Sequence, residues 1–165
     1  MKPAFLVIDV QKMFFGFSPV IAQSLNEAIE YINEAIAVFR EKELPVVCVL
    51  HKDEANKLVP GQERFEVPES LDIRDSDLHI HKSYGNAFNK TELAGELRDI
   101  EVDTVIITGY CAEHCVLSTY RGAQDHDLTP VILRGGLASG RPEIIPFVES
   151  IGEVISCKAL NKLLD

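Results

Sequence analysis

The chain of 165 residues has no tryptophan, only two methionines and no apolar run long enough to cross a membrane. A transmembrane helix needs about 20 predominantly apolar residues, so no membrane partner is expected. Positive charge is also scarce, because 16 lysines and arginines stand against 26 aspartates and glutamates, which gives a formal net charge of −10. Nucleic acids repel such an acidic chain. We therefore expect no nucleic-acid partner.

Cysteine is sparse as well. The chain has four cysteines, and no basic-then-apolar signal segment precedes its first apolar run. These features predict reduced thiols and a cytoplasmic protein. The length and the 46% hydrophobic content predict one domain over residues 1–165 with a core of its own.

Short apolar runs alternate with segments of helical periodicity along the chain. The runs predict strands at residues 4–8, 45–50, 78–81, 104–108, 129–133 and 153–156. Helices are predicted at 19–39, 91–98, 116–124, from 142 onward and at 158–164. Residues 53–77 are polar and broken by prolines, which indicates a long irregular segment. This alternation predicts an α/β fold, a three-layer α/β/α arrangement with a mainly parallel, Rossmann-like sheet of five to six strands.

A cysteine follows the fourth predicted strand. Thr108-Gly109 ends the apolar run, and Cys115 lies where the next helix is expected to begin. Free backbone N–H groups and the helix dipole at such a position favour a thiolate. The same N–H groups can stabilise the oxyanion that forms when a carbonyl is attacked. The pattern therefore predicts a nucleophile site.

Two charged residues occupy the matching position on other strands. Asp9 ends the apolar run of residues 4–8, and Lys82 closes the third predicted strand. Ligands of open parallel sheets bind outside the carboxyl ends of the strands. We therefore expect Asp9, Lys82 and Cys115 to meet at one edge of the sheet, as a nucleophile with its base and a cation.

Three segments carry a resemblance to a known family. Residues 6–14, 81–88 and 109–116 resemble the three signature blocks of the isochorismatase-like cysteine hydrolases, in the family's order and with its usual spacing. This superfamily includes nicotinamidases and N-carbamoylsarcosine amidohydrolases. The resemblance extends over nearly the whole chain and implies the isochorismatase-like form of the α/β fold.

The resemblance assigns a role to each matching residue. Cys115 matches the nucleophile, Asp9 the general base and proton shuttle, and Lys82 the supporting cation. The family commonly has a cis peptide bond before the cysteine, which here corresponds to Tyr110–Cys111. The backbone N–H groups of Cys111 and Cys115 then correspond to the oxyanion hole.

The resemblance also implies a function. We expect hydrolysis of a small amide or ureide C–N bond through a thioester on Cys115, with no cofactor and no metal. Family members often pair their subunits, so a homo-oligomer, either a dimer or a tetramer, is expected. Gln11 matches a glutamine that usually supports the site in this family. The expected substrate-binding residues are Gln11, Phe15, Tyr84, Phe88, Tyr110 and His114.

Some positions depart from the family pattern and leave alternatives open. Ala112 stands where many relatives have threonine, and the Asp-x-His metal motif of nicotinamidases is reversed at residues 51–53. A metal bound by histidines and aspartate remains an alternative; its ligands would come from His51, Asp53, His79 and His81.

Three other functions also remain open. One is hydrolysis of an isochorismate-type vinyl ether, which needs no sulfur nucleophile, so that the presence of Cys115 favours an amide. The second is a redox-sensing pair formed by Cys111 and Cys115, although their spacing is not that of thioredoxin-like proteins. The third is a non-catalytic binding module on the same fold.

Overall fold

The computed structural model describes residues 1–165 and contains a six-stranded sheet with the order β3-β2-β1-β4-β5-β6. The strands are β1 (Pro3–Ile8), β2 (Val46–His51), β3 (Leu78–Lys82), β4 (Thr104–Tyr110), β5 (Thr129–Ala138) and β6 (Val154–Ile155). The helices are α1 (Lys12–Phe15), α2 (Pro19–Glu41), α3 (Leu93–Asp99), α4 (Leu117–Asp125), α5 (Ile145–Ile151) and α6 (Cys157–Leu164). All strand pairs are parallel. The predicted α/β class and the parallel sheet are confirmed.

Helices pack on both faces of the sheet. Because successive side chains of a strand point to opposite sides, one strand contributes to both cores. On β1, Ala4, Leu6 and Ile8 contribute to a core with α3, α4 and α5. Phe5 and Val7 contribute to the opposite core with α2 and α6. Every residue of β1 is buried, which explains why this strand is an unbroken apolar run rather than an alternating one.

Helix α2 packs on one face of the sheet together with α6. Ser18 begins it, because its side chain accepts a hydrogen bond from the Ile21 N–H at 3.1 Å, and Pro19 occupies the first helical position. Both features favour helix initiation.

No helix of the structure combines the length and the apolar character that crossing a membrane requires.

Strand β5 differs from its prediction. It was expected to end at residue 133, but it continues to Ala138 through a shift in register against β4. Gly135 permits this bulge, because its φ is +84° and a Cβ there would lie 2.7 Å from the ring of Tyr31. Only glycine adopts this conformation readily at so close a contact.

The segment between β2 and β3 contains no long helix or strand, as predicted, but it packs against the sheet. Its Leu58 and Phe65 are buried against Cys48 and Leu50 of β2. The segment therefore forms a wall beside the carboxyl ends of β1 and β2.

The strand order places a crevice at the centre of the sheet. Strands β2 and β3 lie on one side of β1, and β4, β5 and β6 lie on the other. In sheets of this kind, ligands bind at the carboxyl edge where the strand order reverses. That point is between β1 and β4, the strands that precede Asp9 and Cys115.

Candidate active site

Asp9 is held in a strained conformation immediately after β1. Its φ is 53°, in the left-handed region, which aspartate tolerates better than most residues. Its N–H donates a hydrogen bond to the Val49 carbonyl at 2.9 Å. The side chain is almost fully buried. Such strain costs about 1–3 kcal/mol and clusters at functional sites.

Gly109 lets β4 approach β1 at the same edge. Its φ is +116°, and a Cβ at this position would lie 2.0 Å from the carbonyl oxygen of Ile8. The Tyr110–Cys111 peptide bond that follows is cis. The chain then enters a π-helical turn, Ala112–Val116, which leads into α4. Cys115 therefore lies in a π-helical turn and not in the first α-helical turn that its sequence predicts.

Lys82 joins the elements of the site. Its ammonium is buried and lies 2.9 Å from Oδ2 of Asp9. It also donates to the Tyr84 carbonyl at 3.0 Å, to Nδ1 of His51 at 3.2 Å and to Sγ of Cys115 at 3.5 Å. An ammonium has three hydrogens, so these four acceptors share three donors. The structure thus brings together the three residues of the predicted triad.

The Asp9 carboxylate has one oxygen that remains open. Oδ2 is paired with Lys82, whereas Oδ1 is buried and has no hydrogen-bond partner. A buried polar atom without a partner is costly and therefore rare. The Asp9 carboxylate and the Cys115 thiol are close enough to affect each other's pKa, so Asp9 can act as the proton acceptor of this thiol.

Burial dominates the protonation of the site. It raises the pKa of Cys115 to about 11, with the charge of Asp9 adding to the effect and Lys82 opposing it. Burial also raises the pKa of Asp9 above its ordinary value, although Lys82 lowers it. A pKa this high favours a resting thiol over the thiolate that the helix start predicts, because desolvation outweighs the lysine. At Asp9 too, desolvation has a larger effect on the pKa than the opposing charge of Lys82.

A cavity of about 230 Å³ opens onto these groups. Its lining residues are Asp9, Phe14, His51, Tyr110, Cys111, His114 and Cys115. The rings of Phe14 and Tyr110 contact each other with centroids 5.0 Å apart. The cavity thus combines an aromatic wall with a thiol and a carboxylate, and its volume suits a small molecule.

Residues 3–144 match the isochorismatase domain family. The chain belongs to the isochorismatase family. The isochorismatase family protein YrdC of Bacillus subtilis is 32% identical over 122 residues, which cover 73% of this chain and 65% of that protein. An isochorismatase-like hydrolase from Alkaliphilus metalliredigens superposes over the full length of both chains, with a TM-score of 0.90 and 21% identity. A cysteine hydrolase from Pseudomonas syringae has a TM-score of 0.85 at 20% identity and covers 99% and 92% of the two chains.

Gln11 lies next to the cavity of this isochorismatase-family site but does not line it. It is fully buried, its Nε2 donates to the carbonyls of His51 and Phe65 at 3.0 Å, and its Oε1 accepts from the His51 N–H at 2.9 Å. It therefore fixes the end of β2 and does not reach the cavity. The prediction that Gln11 binds substrate does not agree with this geometry, because all its contacts are with backbone groups.

Three of the predicted aromatic residues also lie away from the cavity. Phe15 packs on the core beneath α2, and Phe88 is buried on the opposite face of the sheet against His126. The Tyr84 ring is exposed and contacts Lys90, so only its backbone carbonyl takes part in the site. These three side chains do not line the cavity. Of the predicted substrate-binding residues, Tyr110 and His114 do.

Two cavity residues were missed from the sequence, Phe14 and His51. Phe14 lies in α1, a single helical turn without a sequence signal, and this turn decides which of two adjacent phenylalanines faces the cavity. His51 had a usable signal. It directly follows the apolar run of β2 and pairs in register with Lys82, so the strand-end reasoning that selected Asp9 applies to it equally.

His51 is a neutral partner of Lys82. Burial and the nearby ammonium lower the pKa of its imidazole, and its Nδ1 faces Lys82 Nζ. Nδ1 is therefore the acceptor, and Nε2 carries the hydrogen. This contact can orient the ammonium without adding a second positive charge.

Replacing His51 with leucine is expected to lower kcat/KM by about 10- to 100-fold, the range for loss of one hydrogen bond to a charged group. Asparagine has the same branched shape and number of side-chain heavy atoms as leucine but offers a hydrogen-bond acceptor in place of Nδ1, so we expect a smaller loss. Steady-state kinetics of the two variants would test this. Equal losses would mean that His51 acts only by filling space.

The alternative metal ligands are not assembled into a site. His79 is exposed, with Nδ1 on the Asp77 carbonyl, and the ring of His81 packs edge-on against Phe65. Asp53 accepts hydrogen bonds from Asn56. No three of His51, Asp53, His79 and His81 bring ligand atoms within 4.8 Å of one another.

Proposed function

We propose that this isochorismatase-family protein is a cysteine-dependent hydrolase that cleaves a C–N bond of a small amide or ureide. The observation that carries the proposal is the meeting of the Cys115 sulfur, the Asp9 carboxylate and the Lys82 ammonium at one cavity. The similarity to the cysteine hydrolase from Pseudomonas syringae is in line with it.

The reaction begins from a neutral thiol, because the pKa of Cys115 is raised to about 11. When a substrate carbonyl occupies the cavity, the open oxygen of Asp9 accepts the thiol proton and the sulfur attacks the carbonyl carbon. The oxyanion accepts hydrogen bonds from the backbone N–H groups of Cys111 and Cys115. The Cys111 N–H is suited to this role because it makes no other hydrogen bond.

Asp9 then returns its proton to the leaving nitrogen, the C–N bond breaks and an amine or ammonia departs. A thioester on Cys115 remains. In the second half of the reaction, Asp9 accepts a proton from water, whose oxygen attacks the thioester carbon. Collapse of this second intermediate releases a carboxylic acid and restores the thiol with the proton held by Asp9. One carboxylate thus acts in turn as base and acid.

The cavity restricts the substrate to a small, flat molecule. Its volume of about 230 Å³ is below the range of about 300–1,000 Å³ that is typical of drug-sized ligands. Phe14 and Tyr110 form an aromatic wall, and no lysine or arginine lines the cavity. We therefore propose an uncharged or weakly charged amide or ureide.

A panel of small amides, ureides and nicotinamide, assayed for release of ammonia, tests the proposal. Turnover of at least one member that requires Cys115 would support it. Isochorismate is included in the same panel and its cleavage is followed by absorbance. Cleavage of the vinyl ether alone, with no amide turned over, would contradict the amide proposal.

The pH dependence of kcat/KM should reflect the pKa of the buried base Asp9. Asp9 acts as a carboxylate, so kcat/KM falls as the pH decreases through its pKa. Since burial disfavours the charged form and raises this pKa above the ordinary value of 3.8, we expect the acid limb at a higher pH than an exposed aspartate would give. A pH profile of kcat/KM measures it. An acid limb at or below the ordinary aspartate value would contradict the role of Asp9.

A further inference from the structure

The turn that carries Cys115 contains a second group of reactive side chains. Sγ of Cys111, a carboxylate oxygen of Glu113 and a ring nitrogen of His114 all lie within 4.8 Å of one another. With Zn–S and Zn–N bonds of about 2.3 and 2.0 Å, neighbouring ligand atoms of a tetrahedral zinc are about 3.5 Å apart. The three atoms therefore need only small side-chain rotations to share one ion.

The Glu113 carboxylate is fixed towards this group. The Ser139 hydroxyl lies 2.8 and 3.0 Å from its two oxygens and donates to the carboxylate. A carboxylate has about four lone-pair sites, so sites for a metal remain beside those that accept from Ser139. The Arg141 Nε lies 4.0 Å from Oε1 of the same carboxylate.

The Cys111 thiol can serve as a metal ligand once it loses its proton. It is buried, and its Sγ lies within 4.8 Å of a carboxylate oxygen of Glu113. It has no role in the proposed hydrolysis, which uses only the backbone N–H of Cys111. His114 is exposed and can turn its ring towards the sulfur without disturbing the core.

We propose that Cys111, Glu113 and His114 form a Zn²⁺ site. A thiolate, a carboxylate and an imidazole match the preference of zinc, whereas calcium and magnesium prefer oxygen ligands alone. Binding replaces the proton of the Cys111 thiol, so that one Zn²⁺ enters and one proton leaves. The fourth position is taken by water.

Metal at this position closes the cavity. Cys111 and His114 line the cavity whereas Glu113 does not, so an ion bound by all three is expected at the border of the cavity, where it hinders a substrate approaching Cys115. Zn²⁺ is therefore a reversible inhibitor. The site differs from the metal alternative considered for residues 51–53 and 79–81, because all its ligands come from the turn after β4.

Binding is tested on the Cys115→Ser protein, which removes the nucleophilic sulfur. We titrate it with Co²⁺, which gives a thiolate-to-metal charge-transfer absorption, and then displace the Co²⁺ with Zn²⁺. The absorption should be lost when Cys111→Ser is added. Glu113→Gln and His114→Ala should each weaken binding by about tenfold or more, the order expected when one member of a metal site is removed.

Cys157 provides the matched control. It is a buried thiol influenced by a neighbouring carboxylate, that of Glu34, but it belongs to no three-residue ligand group. Adding Cys157→Ser to Cys115→Ser should leave the Co²⁺ absorption unchanged. Absence of the absorption from the Cys115→Ser protein would overturn the proposal. So would an absorption that neither Cys111→Ser nor Glu113→Gln reduces.

The binding experiment does not depend on the proposed hydrolase activity. If an amide substrate is found, Zn²⁺ should inhibit its turnover, EDTA should restore it, and Glu113→Gln should raise the inhibitory concentration by about tenfold. Inhibition that Glu113→Gln leaves unchanged would mean that zinc acts directly on Cys115, which contradicts the proposed site.

Discussion

Replacing Cys115 with alanine is expected to lower amide or ureide hydrolysis by about 10⁴-fold or more, the order of loss when a nucleophile is removed. The sulfur is the atom that bonds to the substrate carbon, and no other thiol or hydroxyl side chain lines the cavity except Cys111 and Tyr110. Burial raises the pKa of both of these groups to about 12. Neither is therefore ready to replace Cys115. Ammonia release from the best substrate of the panel measures the loss.

The same variant should keep its fold. Lys82 has four acceptors for three hydrogens, so removal of the sulfur leaves Asp9, His51 and Tyr84, one acceptor for each N–H. We therefore expect the free energy of unfolding, measured in urea, to change by no more than about 1 kcal/mol.

Cys157→Ala is the control for this prediction, because its thiol lies in α6 and does not line the cavity. It should retain activity and remain sensitive to iodoacetamide. Activity that survives Cys115→Ala would indicate chemistry without a sulfur nucleophile, as in vinyl-ether hydrolysis, and would contradict the proposed mechanism.

The parts of the site that followed from the sequence share one physical basis. Parallel strands buried on both faces are apolar runs, so the first charged residue after such a run marks the carboxyl edge of the sheet. This rule located Asp9, and together with the glycine that ends β4 it located Cys115. Lys82 was located by its place at the end of β3, a short edge strand whose burial alternates. The same reasoning also points to His51, the residue that directly follows the predicted apolar run of β2.

The parts that did not follow depend on three-dimensional packing. Phe14 and Phe15 are adjacent, and the single turn of α1 decides which one faces the cavity. The pKa of Cys115 rises rather than falls because desolvation is the largest effect, and burial depends on the whole fold. The bulge in β5 arises where Gly135 meets the ring of Tyr31, a contact between distant segments. Local sequence patterns carry none of this information.

Replacing Lys82 with methionine is expected to lower the free energy of unfolding by about 3–5 kcal/mol, the range for removing one partner of a buried ion pair. Methionine fills a similar volume but leaves the Asp9 carboxylate buried, with neither oxygen paired to a cation. The double variant Asp9→Asn/Lys82→Met removes both charges and should recover most of the loss. Urea denaturation of the two single variants and the double variant measures the coupling.

Lys12→Met is the matched control on the surface. Lys12 pairs with Glu69 at 2.6 Å, but the Glu69 side chain is 85% exposed. Exposed pairs contribute about 0–1 kcal/mol, so this change should scarcely alter the free energy of unfolding. A similar small effect of Lys82→Met would mean that the buried pair is solvated, and it would contradict the desolvation that raises the pKa values of Asp9 and Cys115.

The pH dependence of Lys82→Met separates lost charge pairing from lost packing. Without the ammonium, the pKa of Asp9 in the folded state rises further, because Lys82 is the group that lowers it most. A raised folded-state pKa means that the folded state binds a proton more tightly than the unfolded state. The loss of stability relative to the unmodified protein should therefore shrink as the pH falls from the folded-state pKa of Asp9 in the variant to its lower, though still raised, folded-state pKa in the unmodified protein. If Lys82→Met lowers the free energy of unfolding by the same amount at every pH, the lost stability comes from packing and not from the Asp9–Lys82 pair.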